Sequence, residues 1–158
     1  MYLYHGTGQV IGNVDLSLCK DKRDFGVGFY TTTDDMQAKR WALSRFSGRQ
    51  GVLPTVIRYT FDEPASLLVK KFTSPDITWL DFVTQHRNLG GVHHTYDIVM
   101  GPIADDNTYS TILLHLAGVY TKEETIKRLK SWVYTDQVSF HTERSLVFLT
   151  DMRWENVT

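Results

Sequence analysis

Apolar and polar positions alternate most clearly over Thr55-Val56-Ile57-Arg58-Tyr59-Thr60-Phe61. This β-branched, aromatic run predicts a strand, turned by Asp62-Glu63-Pro64. A second strand is expected over 66–72 and a buried one over Tyr96–Pro102, while the opening run Met1–His5 reads as a strand stopped by Gly6-Thr7-Gly8. Helical spacing follows several capping residues. Asp34, with Gln37 three positions on, caps a helix over 36–46 in which Ala38, Trp41, Ala42 and Arg45 recur at helical intervals. Asp76 caps a helix over 77–87 with Trp79, Leu80, Phe82 and Val83 on its apolar side, ended by Asn88-Leu89-Gly90-Gly91. The acidic pair Asp105-Asp106 caps a helix over 108–116, with a place at a cleft as the alternative reading. Thr121 and Glu124 open a further helix running through Trp132. Tyr134–His141 reads as a turn into a short strand, 145–149 fits strand or helix, and 150–158 is expected to be a terminal strand or arm.

Composition narrows the class. A chain of 158 residues with 42% hydrophobic and 22% charged residues fits one globular domain, here taken as residues 1–158. Seventeen basic against eighteen acidic residues give a net charge of −1, so there is no global nucleic-acid footprint. No apolar run is long enough to span a bilayer, the N-terminus lacks a signal-peptide pattern, and a single cysteine, Cys19, excludes an internal disulfide. A cytoplasmic location is expected. The charged run Lys20–Asp24 reads as a solvated loop. His93-His94 resembles a metal pair, but adjacent side chains point apart and no carboxylate stands at a ligand spacing, so no metal is expected.

The most informative stretch is Phe25-Gly26-Val27-Gly28-Phe29-Tyr30-Thr31-Thr32-Thr33-Asp34. Two glycines around one residue permit positive φ or close approach to a flat ligand, and aromatic residues stand at either end of the turn. That geometry can hold a planar ring; a plain turn feeding a strand and helix is the alternative. A dinucleotide-binding glycine fingerprint does not fit, because its third glycine would fall at Thr31 and no buried strand precedes Phe25.

Three segments in order, Leu3-Tyr4-His5-Gly6-Thr7, Gly26-Val27-Gly28-Phe29-Tyr30 and Asp136-Gln137-Val138-Ser139-Phe140, resemble the ADP-ribosyltransferases of the diphtheria-toxin and poly(ADP-ribose)-polymerase branch. More narrowly, Leu-Tyr-His-Gly, Asp-Phe-Gly-x-Gly-Phe-Tyr-Thr-Thr and Gln-x-Ser-Phe-His-Thr resemble a small bacterial family known as domain of unknown function 3990. The resemblance implies an α+β fold of two small, mostly antiparallel sheets around a cleft, with flanking helices. It implies NAD as substrate, with His5 on a hydroxyl of the adenine-side ribose. Gly6, with Thr7 beside it, would offer its backbone to the nicotinamide carboxamide, and Tyr30 would stack on the nicotinamide ring. Trp41 would close a sandwich over that ring or else fill the core, and Ala38 stands where the branch often has a serine on the carboxamide.

The resemblance places Gln137 where the branch has a glutamate. Breaking the ribose–nicotinamide bond builds positive charge on the sugar, which a carboxylate near the 2′-hydroxyl would stabilise. An amide holds the hydroxyl but supplies no charge. Polymer elongation is therefore not expected, and transfer of a single ADP-ribose is. Glu143 substitutes for the missing charge if the chain folds back, or is a surface residue. The implied setting is a bacterial toxin restrained by a small antitoxin protein, acting on a protein or nucleic-acid acceptor. The alternative from another class is a non-catalytic NAD- or ADP-ribose-binding module; a nucleic-acid-binding domain is disfavoured by the neutral charge.

Overall fold

The β-branched and aromatic runs form seven strands: β1 (Tyr2–Thr7), β2 (Phe29–Thr32), β3 (Thr55–Phe61), β4 (Val69–Lys71), β5 (Ile98–Pro102), β6 (Asp136–Phe140) and β7 (Leu149–Asn156). Among the described residues five α-helices accompany them: α1 (Asp35–Phe46), α2 (Ile77–Leu89), α3 (Asp106–Leu116), α4 (Lys122–Leu129) and the short α5 (Glu143–Leu146). The computed structural model describes residues 1–104, 106–131 and 134–158, the side chains of Asp106 and Asn107 excepted. Asp105 and Trp132 thus lie outside the described residues, as does any cleft role for the Asp106 side chain. No helix among the described residues is long and apolar enough to cross a membrane.

The class is α+β, as expected. The strands form one hydrogen-bonded sheet in the order β4-β5-β6-β2-β1-β3-β7, all pairs antiparallel except β4–β5. One continuous sheet stands where two were expected; its pairing is thinnest at a seam between β1 and β2, which share one register pair, Tyr4↔Thr32, whereas β1 and β3 share six. Beyond that pair the strands separate. The second strand after Phe61 is confined to three residues, and the 145–149 run resolves as a helical turn leading into β7.

Alternation sorts the side chains onto the two faces of the sheet, with a smaller cluster of Ala38, Ala42 and Val56 between α1 and the strands. Leu3, Phe29, Ile57, Phe61, Val138 and Phe140 pack on one face. Phe25, Phe72, Trp79, Leu80, Val83 and Val99 pack on the other, beneath α2, with Tyr30 against them. The caps at Asp34, Asp76 and Thr121 are where the sequence places them. The Asp34 carboxylate accepts from the backbone of Met36 and Gln37, and that of Asp76 from Trp79.

Candidate functional site

His5, Gly6 and Thr7 lie at the seam between β1 and β2. The row Tyr4–Thr32–Gln137–Gly101 is continuous across β1, β2, β6 and β5. Above it, Gly6 and Thr7 pair with Val56 and Thr55 of β3, and among the described residues they have no strand partner on the β2 side. A mid-sheet edge is left unpaired. Such an edge is a template for whatever can donate to and accept from a strand.

His5 sits in this opening. Its Nδ1 lies 2.7 Å from the carbonyl of Tyr30, and its ring packs 4.5 Å from that of Phe29. A carbonyl only accepts, so Nδ1 carries the proton and Nε2 is an unprotonated acceptor. Burial lowers the imidazole below its usual value, more than the Tyr30 hydrogen bond raises it. Nε2 has no hydrogen-bond partner among the described residues and is not sealed from solvent. Register and packing put the His5 ring on the Phe29 face and the Tyr30 ring on the opposite one. The two meet through the Tyr30 backbone.

Gly6 is set by packing. A Cβ there would stand 2.5 Å from the Ala38 carbonyl oxygen and 3.3 Å from the Trp41 ring, so α1 lies directly on the strand. Ala38 is small where the helix touches β1, and Trp41 is half-buried over Gly6, its ring 5.7 Å from that of Phe46. Thr7 is buried. A groove of about 420 Å³ lies over β1, β3 and β7, lined by Tyr4, Val56, Arg58, Arg153 and Glu155 among others; none of His5, Gly6, Thr7, Tyr30, Trp41 or Gln137 lines it. Glu143 is exposed at the start of α5; its charge, after burial and Asp15, helps push the Cys19 thiol up. It does not approach Gln137 by any hydrogen bond.

The glycine turn holds rings, and they are its own. The Tyr30 hydroxyl donates to the Gly26 carbonyl at 2.7 Å and accepts from Phe25 N–H at 2.9 Å. His94 Nε2 faces the Phe25 carbonyl at 3.1 Å, and His141 Nδ1 faces that of Val27 at 2.8 Å. Gly26, at φ 93°, lets the turn come so close to Gly91 that a Cβ would stand 2.6 Å from its carbonyl oxygen. A Cβ on Gly28 would meet the Phe140 carbonyl and the His141 ring. The close approach expected for a flat ligand is therefore taken up by β6 and the loop after α2. The Tyr30 phenol is pushed well above its usual value by burial first and the Asp24 charge next, so it stays a donor.

His86, His93, His94 and His141 form one ring cluster beside this turn. The partners of His86 and His94, one acceptor and one N–H donor each, demand neutral imidazoles. His86 Nδ1 faces the Phe82 carbonyl while Nε2 accepts from His93 N–H; His94 Nδ1 accepts from Tyr96 N–H; His141 Nε2 faces the Ser139 hydroxyl at 2.8 Å. Burial is the main cause that lowers His86, His94 and His141, the last to about 4. A folded value below the unfolded 6.5 means stability complete above about pH 6.5 and lost as pH falls toward 4. For His141 alone the loss is on the order of 3 kcal/mol. Urea unfolding between pH 8 and 4.5 is expected to show that fall, and His141→Asn to make its slope shallower. An unchanged slope would contradict the neutral-histidine assignment.

Gln137 is buried and points at a carboxylate. Its Nε2 donates to Asp24 Oδ2 at 2.7 Å and approaches the Pro102 carbonyl at 3.3 Å. Asp24, 4% exposed, is no part of a solvated loop: Arg87 Nε donates to its Oδ1 at 2.6 Å, Arg87 Nη2 also reaches it, and Ala104 N–H donates to Oδ2. The Arg87 guanidinium lies over the Tyr109 ring. Sequence reasoning missed Asp24 and Arg87. The signal available was an acid immediately before the Phe-Gly-x-Gly turn, masked by its charged neighbours.

The sequence model of one family, described as "Protein of unknown function (DUF3990)", matches residues 1–150. The comparisons with curated proteins and with solved structures gave no match.

Proposed function

The chain belongs to this DUF3990 family of unknown function, and on that premise we propose that it transfers a single ADP-ribose from NAD, as a bacterial toxin held by a small antitoxin protein. The observation that carries the reading is the unpaired edge at Gly6–Thr7, with His5 wedged in the seam and Trp41 over the glycine. A carboxamide has the donor and acceptor that a strand edge requires, and an aromatic wall holds a flat ring beside it. His5 Nε2 and the Gln137 carbonyl oxygen are acceptors without partners among the described residues, suited to ribose hydroxyls. In the reaction the C1′–N bond breaks, its electron pair leaves with nicotinamide, the acceptor's nucleophile bonds to C1′, and the acceptor's proton passes to solvent.

The test is incubation with NAD labelled in the adenylate part. Release of nicotinamide and transfer of label are expected, and protease and nuclease digestion of labelled lysate identify the acceptor as protein or nucleic acid. Gln137→Ala is expected to lower kcat roughly ten- to a hundredfold with a smaller change in KM, since its help is aimed at the charged transition state. The amide at position 137 favours a second reading, a module that binds NAD or ADP-ribose without turnover. Saturable NAD binding with no nicotinamide release would select it and overturn the first.

A further inference from the structure

An amide stands at position 137, in a site expected to need charge. The missing charge lies one hydrogen bond away. We propose that Asp24 is the positioning residue of this site: it supplies the carboxylate that holds the Gln137 amide with its nitrogen inward and its oxygen left free to accept. Charge and orientation are thus divided between two side chains 113 positions apart in the sequence. The inference rests on the NAD-transferase reading for its catalytic meaning, though not for the pairing itself.

The chemistry leaves the amide one orientation. Both groups facing its nitrogen, the Asp24 carboxylate and the Pro102 carbonyl, are acceptors. A flipped amide would set oxygen against oxygen at 2.7 Å in a buried site. Nε2 therefore faces inward, and Oε1, with no partner among the described residues and not sealed from solvent, is left to accept a hydroxyl. Asp24 is in turn held on three sides, by two guanidinium contacts from Arg87 and by the Ala104 N–H. Its charge also reaches the Tyr30 phenol, across the turn from β6.

The same contact explains the residue type. A glutamate in place of Gln137 would lay a second carboxylate against the first in a buried place, which repels unless one of them takes up a proton. Opposite Asp24, glutamine is the residue type that closes the network. The two positions should therefore be coupled: D24N/Q137E keeps one amide, one carboxylate and one hydrogen bond between them, at the cost of the matched contacts to the Ala104 N–H and the Pro102 carbonyl.

A double-mutant cycle of D24N, Q137E and D24N/Q137E in the full chain tests this, with thermal unfolding and NAD turnover measured on each. Q137E alone is expected to lower Tm by about 5 °C or more through like-charge contact, and the double variant to unfold higher than the sum of the two single losses predicts. D24N alone frees the amide to flip, and is expected to lower kcat at least about tenfold while KM for NAD changes little. The double variant is expected to recover kcat above both single variants. If D24N and Q137E add in Tm without coupling, the pairing is overturned. If the two couple in Tm while kcat stays at the D24N level, Asp24 holds only the fold and its positioning role is overturned. A wild-type chain inert toward NAD would remove the transferase reading instead, and the Tm cycle, which needs no ligand, would still decide the pairing.

Discussion

Replacing Trp79 with alanine is expected to cost about 3–5 kcal/mol, enough to remove most of the stability of a domain this size. The side chain is fully buried in the first turn of α2, among Phe25, Leu80, Val83 and Ile112 in the core under the sheet. Its indole Nε1 also donates to the Pro102 carbonyl at 3.2 Å, the carbonyl that Gln137 Nε2 approaches from β6. Deleting it opens a cavity that the two layers on either side, a helix and a sheet, cannot both close. A fall in Tm of roughly 10 °C or more follows, by the usual scaling for a domain this size. Trp79→Phe separates the two contributions. It keeps a ring and leaves Pro102 with Gln137 as donor, so its cost should be about 1–2 kcal/mol. If alanine and phenylalanine proved equally harmful, the hydrogen bond rather than the packing would be the larger part, and the ranking of the two would be reversed.

What was legible in the sequence is what local physics decides. The run Thr55–Phe61 matches β3 residue for residue, because alternation and β-branching need no distant partner to be read. Asp34, Asp76 and Thr121 each cap a helix through a backbone N–H within three residues. The reciprocal half of the Asp34 box was not legible. Gln37 meets Arg40 instead of reaching back, and the Asp34 N–H is taken by the Thr32 hydroxyl. Solvent-facing side chains have several partners in reach, and which they take depends on neighbours that spacing does not reveal.

The site divides the same way. The elements that carry His5, Gly6, Tyr30, Trp41 and Gln137 were legible, since their ends could be located from local pattern. Asp24 could not be found so. Its three partners come from α2, the loop after β5, and β6, the nearest of them 63 residues away, and within Lys20–Asp24 it looks like one more solvated charge. Burial of a single acid in a charged run is a tertiary fact. The histidine cluster is another: His94 and His141 act as clamps on the Phe25–Gly28 backbone, and neither stands at a spacing that reveals it. The expectation that the glycine turn cradles a ligand ring came from its two glycines; the glycines are there because β6 and the loop after α2 press against the turn.

That occupied turn makes Tyr30 the residue on which the transferase reading is most exposed. Tyr30→Ala is expected to cut NAD turnover by at least about a hundredfold, since it removes the proposed platform for the leaving ring and the strut of the turn together. Tyr30→Phe distinguishes these roles. The phenyl ring keeps its place, stacked near Phe25 and edge-on to His141, while the Phe25 N–H and the Gly26 carbonyl lose the hydroxyl that bridges them. A buried donor left unpaired costs about 1–3 kcal/mol, so the phenylalanine variant should unfold several degrees lower yet retain turnover within about tenfold of wild type. Both variants are to be assayed well below their own unfolding midpoints, so that loss of fold is not counted as loss of chemistry. Should Tyr30→Ala stay folded and release nicotinamide at the wild-type rate, the ring has no part in gripping NAD, and the seam beside Gly6 would have to hold its ligand without it.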